Sequence, residues 1–267
     1  MAVRREKTAQ EIFGQSGRLA IHKRHEYHLV AGARLAIPRA VLADIRSVGA
    51  DLIVNLGDIL SGALHPSETA DRLMPLGLPT IRGNHERQVL GGDRERMSLS
   101  DRWALDCMRP DQLAWIKALP STLSIDEDVL LVHGTPADDL SYFLETVSPS
   151  GCRAATTDEI ERRAGNVTAK LILCGHTHLQ RSMKLDDGRL IVNPGSVGLQ
   201  AYEDEWPFPH RMETGSPHAR YAFVTGSGSD WTVEFRAVRY DWKIASATAK
   251  ANGRPEWAVA LRSGRCG

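Results

Sequence analysis

Six polar residues of the types that bind divalent cations occur in four short, glycine-containing segments of the sequence. They are Asp58, Asn84, His85, His133, His176 and His178, in the segments GD, GNHE, HG and GHTH. Each segment follows an apolar run, DLIVNL, PTIR, VLLV or LILC, whose length and composition predict a buried strand. Loops at the carboxyl ends of strands in an open sheet meet at one crevice, so these side chains are expected to converge. One such loop is typical of surface polar residues, whereas four favour a shared metal site.

The donor types indicate the kind of cation. Imidazole, carboxylate and amide oxygen together suit Mn, Fe or Zn better than Ca, and the absence of cysteine from the set argues against a structural zinc site. Asp58 is the only carboxylate in the set of six, and its two oxygens suit it to bridge two ions. A pair of metal ions about 3.5–4 Å apart clamps phosphate and supports an in-line displacement. The segments therefore predict phosphoester hydrolysis.

His85 differs from the other candidates because it stands directly beside another ligand type, Asn84, at a turn. One of the two side chains can bind metal while its neighbour faces the substrate. A protonated His85 in that position would donate to the leaving oxygen as a general acid. The alternative is a plain metal ligand or a hydrogen-bonded loop residue, because the sequence does not orient the side chain.

Apolar periodicity predicts alternating helices and strands from Pro38 onward. Helices are predicted over PRAVLADIRSVG, HPSETADRLMPLG with a cap near Ser67, SLSDRWALDCM, PDQLAWIKALP, EIERRAG behind a Thr156 to Glu159 capping box, and an alanine-rich tail from about Asp241 to Leu261. Strands are predicted over DLIVNL, LPTIRG, DVLLVHG, AKLILCG, RLIVNPG, RYAFVTG and WTVEFRAVRY. This order predicts a layered α/β or α+β domain.

Composition limits the classes of function. The 267 residues, 42% of them hydrophobic, suffice for one large domain with a substantial core. Lys plus Arg and Asp plus Glu are both 33, so no overall field favours nucleic acid or an anionic membrane, and a small-molecule substrate is expected. The four cysteines are scattered and form no CxxC pair, and the basic N-terminus leads into no long apolar run. These features predict a cytoplasmic protein.

The motifs GD, GNHE, a lone His before Gly, and GHTH, in this order, resemble those of the calcineurin-like metallophosphoesterase family. VNPGSVG after GHTH and the C-terminal PEWAVALRSGR are similar to segments of its small bacterial members. The similarity extends over about Ala40 to Tyr240. It implies a four-layer αββα sandwich of two sheets flanked by helices, with a dinuclear metal centre and phosphodiesterase or phosphatase activity.

The resemblance also implies a role for each site residue. Asp58 bridges both ions and, with His85, is catalytic, His85 assisting the leaving group. One ion is held by Asn84, His133 and His176, and the other by His178. The implied cofactors are divalent ions, Mn first, with Fe, Zn or Ni as alternatives, two per chain if the second site is intact.

One family motif, an Asp-x-His at the end of the first strand, is missing. Counting back from AVLADIR puts its place near Val30 to Arg34, where neither residue type occurs. Residues 1–39, with no aspartate and eight Lys or Arg against three Glu, form an atypical segment before the metallophosphoesterase domain of residues 40–267. Three explanations stay open. The segment is a genuine replacement of the motif, it is the product of a shifted reading frame, or residues from HKRHEYH bind the metal in place of the motif. The residues meant are His22, His25, Glu26 and His28, although such a charged run is also typical of a solvated stretch.

The missing motif affects the two ions unequally. One ion keeps four ligands, whereas the other keeps Asp58 and His178, so its affinity should fall and the two-metal mechanism is in question. The alternative to a hydrolase is therefore an impaired family member that acts as a binding or scaffold module with at most one metal. A structural metal protein is disfavoured because the set lacks thiolates. The segment AYEDEWPFPHRMETGSPHARY is either an ordinary surface loop or a wall of the pocket, through Tyr202, Trp206, Phe208, His210 or Arg211.

Overall fold

Two β-sheets packed face to face form the centre of the computed structural model, which describes residues 18–22, 36–227 and 230–267. The strands are β1 (Arg18–His22), β2 (Leu52–Asn55), β3 (Thr122–Ser124), β4 (Val129–Val132), β5 (Glu145–Ser148), β6 (Gly151–Ala154), β7 (Leu171–Leu173), β8 (Gln180–Lys184), β9 (Leu190–Pro194), β10 (Ala201–Asp204), β11 (His210–Glu213), β12 (Ala219–Ser227) and β13 (Asp230–Val238). The helices are α1 (Ala36–Val48), α2 (Pro66–Leu73), α3 (Asn84–Leu90), α4 (Leu99–Cys107), α5 (Pro110–Ala118), α6 (Thr157–Ala164), α7 (Trp242–Ala251) and α8 (Pro255–Ser263). A 3₁₀ turn, Met74–Leu76, follows α2.

The strand order brings the predicted ligand loops to neighbouring strand ends. The first sheet has the order β13-β12-β1-β2, with β1 parallel to β2 and antiparallel to β12. The second has the order β3-β4-β7-β9-β8, in which β4, β7 and β9 are parallel. Two hairpins, β5-β6 and β10-β11, stand apart from the sheets. The segments with Asp58, His133 and His176 therefore follow the carboxyl ends of β2, β4 and β7.

Alternation along the strands separates the inner core from the outer layers. Leu171 and Leu173 of β7 pack between the sheets with Val54 of β2 and Val224 of β12, while Ile172 packs on the other face with α6. Side chains at positions i and i+2 of a strand share a face, so these apolar runs are buried on both sides. Tyr221 and similar residues of β12 pack against α1, α7 and α8. The mixed α/β fold in four layers is confirmed.

A separate apolar cluster lies beside the sheets and fixes the segment after Asp58. Ile59 and Leu60 pack there with Leu73 of α2, Val89 of α3 and Ile116 of α5. All five side chains are buried, which stabilises the chain where it leaves β2. In the described ranges, no helix combines the length and the apolar character needed to cross a bilayer.

Several boundaries differ from the sequence predictions. The segment LPTIRG forms only an isolated bridge from Thr80 to Asn55 and no strand. Helix α2 begins at Pro66, and Ser67 donates to Gln112 of α5 instead of capping the helix. The predicted tail helix is two helices, since Gly253, at φ +76°, ends the first one. The segment after Gln200, treated as a loop, contains the hairpin β10-β11.

The first strand lies earlier in the chain than the count from AVLADIR suggested. Val30 to Arg34 are outside the described residues, and the strand parallel to β2 is β1, which pairs Leu19 with Leu52 and ends with His22 beside Asn55. The first sheet therefore includes residues from the segment 1–39 that was considered atypical. Helix α1 begins within this segment and continues beyond residue 39. His25, Glu26 and His28 also lie outside the described residues.

Candidate metal centre

Three predicted site residues adopt a left-handed backbone that side chains other than glycine rarely enter. In the described part of the chain, the non-glycine residues at positive φ are Asp58 (54°), His176 (68°) and His178 (62°). Each costs about 1–3 kcal/mol and persists only where the surrounding structure holds it. In GHTH the residues at positive φ are the two histidines, and Gly175 is not among the glycines at positive φ. Strain confined to the predicted ligands is typical of a functional site.

His133 brings three acceptor atoms together in the interior. Its Nδ1 is 2.7 Å from the carbonyl oxygen of Leu56, to which it donates, so Nε2 carries the lone pair of the neutral ring. That Nε2 lies 2.9 Å from Oδ2 of Asp58 and 3.0 Å from Oδ1 of Asn84. The side chains of His133 and Asp58 are at most 1% exposed, so water does not screen the oxygens. A proton on Nε2 or a bound cation must offset this concentration of acceptors.

His176 completes a group of three side chains that could hold a metal ion. One ligand atom each from Asp58, His133 and His176 lies within 4.8 Å of the others. Nε2 of His176 is 3.0 Å from the carbonyl oxygen of Leu140, and donation there leaves Nδ1 as the ring's acceptor. Backbone carbonyls thus orient both imidazoles, as they do for metal-binding histidines in general. With the amide oxygen of Asn84, the donor set fits a transition-metal dication such as Mn²⁺, Fe²⁺ or Zn²⁺.

Two glycines allow the ligand loops to approach each other. A Cβ on Gly83 would collide with Oδ1 of Asp58 and would lie 2.7 Å from both the Asp58 amide nitrogen and Cε1 of His133. A Cβ on Gly57 would collide with the backbone nitrogen of Gly83, and Gly57 also has φ +89°. The glycines beside Asp58 and Asn84 are therefore a spatial requirement of the site.

Glu86, which the sequence analysis left without a role, fastens two ligand loops to each other. Its buried carboxylate accepts hydrogen bonds from the backbone N–H groups of Asp58 (2.8 Å), Ile59 (2.6 Å) and Gly83 (2.8 Å). Burial, followed by the charge of Asp58, raises the pKa of Glu86, and these N–H donors oppose the rise. Its spacing from Gly83, i to i+3, is the capping-box signal that could have identified it.

His85 is not part of the group of three ligand side chains and pairs with a buried carboxylate. Its Nδ1 is 2.8 Å from Oδ1 of Asp101, which also accepts from Ser61 (2.6 Å), while Oδ2 accepts from Ser98 (2.7 Å). Burial alone would raise the pKa of Asp101, but the hydrogen bond and charge of His85 and the two hydroxyls outweigh it and lower that pKa. The His85 side chain is 24% exposed and lines the cleft, so its other nitrogen can face a substrate.

Asp101 was missed because it is separated from His85 by a helix and a loop. It lies in α4, in the predicted helix SLSDRWALDCM, whose Ser98 accepts from the Asp101 backbone N–H as the N-cap. An S-x-x-D pattern ordinarily indicates only this local cap. Nothing local distinguishes an aspartate that also reaches a histidine 16 positions earlier.

His178 lies beside the cleft but outside the group of three ligand side chains. It is 2% exposed, and its ring centroid is 4.7 Å from that of Tyr202 in β10. The Tyr202 hydroxyl lies 3.1 Å from the hydroxyl of Tyr142 and 3.3 Å from the carbonyl oxygen of His176. The hairpin β10-β11 therefore contacts both histidines of GHTH.

The site opens into a cleft of about 740 Å³. Its described lining includes Asp58, Asn84, His85, His176 and His178, together with the aromatic residues Tyr142, Tyr202, Trp206 and Trp257. Of the five residues in the β10-β11 segment considered as pocket residues, Tyr202 and Trp206 line the cleft. The described lining does not include Phe208, His210 or Arg211; Arg211 pairs with Glu203 at 2.7 Å.

Known proteins resemble this chain in sequence and in fold. Residues 22–207 match the model of the calcineurin-like phosphoesterase superfamily domain, so the chain belongs to that superfamily. An uncharacterized protein of Methanocaldococcus jannaschii is 25% identical over 231 residues, which are 82% of this chain and 88% of that protein. A metallophosphoesterase from Sphaerobacter thermophilus has a similar fold, with a TM-score of 0.67 and 23% identity, covering 94% of this chain and all of that one. The family predicted from GNHE and GHTH is confirmed.

Proposed function

We propose that this chain is a metal-dependent phosphoesterase that hydrolyses phosphodiester or phosphomonoester bonds of small molecules, with diesters preferred. The observation that carries the proposal is that His133 Nε2 lies 2.9 Å from Asp58 Oδ2 and 3.0 Å from Asn84 Oδ1. Asp58 and Asn84 line the same cleft as His85. Such a group of unscreened acceptors suits a cation that faces a phosphoryl group.

The proposed ligands of the first ion are Asp58, Asn84, His133 and His176. Mn is the expected metal, and Fe, Zn or Ni are alternatives with the same donor preferences. A divalent ion held there supplies positive charge that offsets the charge on the phosphoryl oxygens. In this proposal His178 and Asp58 contribute to a second, weaker ion, and the backbone of His22, at the end of β1, lies next to the strand that leads to Asp58.

The proposed catalytic role of His85 is to donate a proton to the leaving oxygen. Asp101 is a positioning residue that holds the ring by Nδ1 and favours its protonated form, because a buried carboxylate 2.8 Å away stabilises the imidazolium. The His85 backbone N–H, 3.2 Å from Oδ1 of Asp58, and the contacts of Glu86 keep the carboxylate of Asp58 directed towards His133. Each of these roles rests on a hydrogen bond that the residue makes in the structure.

A second candidate is a binding or scaffold module that has lost catalysis. The observation favouring it is that the group of three ligand side chains in the described residues excludes His178, and the Asp-x-His motif is missing. The His85–Asp101 pair favours the enzyme, because a scaffold does not require a proton donor held in this way. In either case we place the protein in the cytoplasm, given its scattered cysteines.

Hydrolysis of bis-p-nitrophenyl phosphate with added Mn²⁺ tests the proposal. Asp58→Asn should lower kcat by at least about a hundredfold, since it removes the charge that faces the metal. Asp106→Asn is the matched control, because Asp106 is about half exposed and pairs with Arg94 outside the cleft. Equal turnover by Asp58→Asn and wild type, or no turnover by the wild type, would contradict the hydrolase and leave the scaffold. Comparison with p-nitrophenyl phosphate measures the diester preference.

A further inference from the structure

We propose that Trp206, on the tip of the hairpin β10-β11, selects phosphoesters whose organic group is a planar aromatic ring. The proposal rests on the phosphoesterase function above and names the class of its substrate. Trp206 is 76% exposed and lines the same cleft as Asp58 and His85. Ligand pockets are lined mainly by apolar and aromatic side chains, so an exposed indole on the wall of this cleft is suited to contact a ligand.

The tip holds the indole on a stiff backbone. The Trp206 N–H donates to Oδ1 of Asp204 at 2.9 Å, and Nδ1 of His210 lies 2.8 Å from the carbonyl oxygen of Phe208, to which it donates. Pro207 and Pro209 fix two further φ angles in the same five-residue connection. A ligand that stacks on Trp206 therefore loses little free energy to ordering of the tip.

The base of the hairpin is fastened to the metal centre. Tyr202 contacts the His178 ring and its hydroxyl lies 3.3 Å from the His176 carbonyl oxygen. Tyr142 joins the hairpin from the other side, since its hydroxyl is 2.9 Å from Nε2 of His210. Contacts on both strands of the hairpin thus hold the element that carries Trp206 beside His176 and His178.

The cleft that Trp206 lines has further surfaces suited to a flat ring. Tyr142, Tyr202, Trp257 and Pro207 also line the cleft, and the faces of aromatic rings prefer stacked or edge-to-face contacts with another aromatic ring. A saturated group of the same size buries apolar area but lacks the stacking interaction. We therefore expect the cleft to distinguish phenyl from cyclohexyl as well as from methyl.

Phosphonates that carry a single organic group test this directly, because they bind without turnover. With Mn²⁺ present, isothermal titration calorimetry should show that phenylphosphonate binds about tenfold more tightly than methylphosphonate, as expected for one stacked ring. Phenylphosphonate should also bind more tightly than cyclohexylphosphonate. Trp206→Ala should remove the preference for phenyl, and Trp206→Phe should keep most of it. Phe208→Ala is the matched control, since Phe208 is 40% exposed on the same tip but is not among the described residues that line the cleft.

The outcomes separate this inference from the proposed function. Equal binding of the three phosphonates, or a phenyl preference that survives in Trp206→Ala, overturns the role of Trp206 while hydrolysis of p-nitrophenyl esters stands. If phenylphosphonate binds no more tightly than cyclohexylphosphonate, the role of Trp206 is also overturned, because burial of apolar area alone would then account for the affinity. Failure of all three phosphonates to bind, together with no hydrolysis, overturns both.

Discussion

Replacing Asp101 with asparagine should slow hydrolysis without dismantling the site. Asparagine keeps an oxygen for Nδ1 of His85. Ser98, which donates to Oδ2 of Asp101, would turn its hydroxyl and accept from the new amide group with its second lone pair. The hydrogen bond to His85 is therefore preserved. Only the negative charge that stabilises the protonated imidazole is lost.

The size of the effect follows from the difference between charged and neutral hydrogen bonds. A bond to a charged group contributes about 1.5–3 kcal/mol and a neutral one about 0.5–1.5 kcal/mol. Asp101 is about 1% exposed, so solvent does not weaken the charged bond. The lost difference of about 1.4 kcal/mol corresponds to about a tenfold fall in kcat.

The assay uses aryl phosphodiesters whose leaving groups have graded basicity. A phenolate leaving group needs the proton from His85 more than p-nitrophenolate does, so the fall should be larger for phenyl esters. Asp106→Asn, in the same helix α4 but paired with Arg94 on the surface, should leave kcat unchanged. In a His85→Ala background, Asp101→Asn should have almost no further effect, because the residue it acts through is gone.

Two results would refute this reasoning. The first is a fall in kcat that is equal for all leaving groups, which would indicate a general distortion of the site. The second is an additional tenfold loss when Asp101→Asn is combined with His85→Ala, which would mean that Asp101 acts by another route. Thermal unfolding of each variant provides the check on folding.

Further substitutions address the loops. Gly83→Ala should abolish Mn²⁺ binding in titration calorimetry and lower Tm, because its Cβ enters the space of Asp58. Arg87→Ala should weaken Mn²⁺ binding about threefold, because Arg87 holds Asp139 through a bidentate, partly exposed ion pair, and the neighbouring Leu140 carbonyl oxygen orients His176. Adding Asp139→Ala to Arg87→Ala should weaken binding no further, because the ion pair is already lost. Tyr202→Phe should cost about 1 kcal/mol in urea unfolding, since it loses the hydroxyl's hydrogen bond.

The sequence predicted the parts of the site that depend on strand ends. LILC and VLLV are uninterrupted apolar runs, and parallel pairing of β4 with β7 brings His133 and His176 to one edge. That inference needs only the period of a strand and the geometry of a parallel sheet. The αββα fold, in contrast, came from the family resemblance, because periodicity alone did not separate α/β from α+β.

The missed features depend on contacts between residues far apart in sequence. Asp101 reaches His85 across the start of α4, and Glu86 reaches the backbone after β2, so neither role has a local signal beyond a cap. The hairpin β10-β11 was taken for a loop because Tyr202 is the only large apolar residue of AYED, which leaves no clear alternation. Its position is set by tertiary contacts with GHTH.

Titration of the metal-free chain with Mn²⁺ tests the central claim most directly, because it does not depend on the substrate. We expect one tight site per chain in the wild type and its loss in His133→Ala, since Nε2 of His133 lies between Asp58 and Asn84. His218→Ala is the matched control, because His218 bonds to Ser216 and packs on Trp242 away from the cleft. Absence of Mn²⁺ binding, or binding that survives in His133→Ala, would contradict the account.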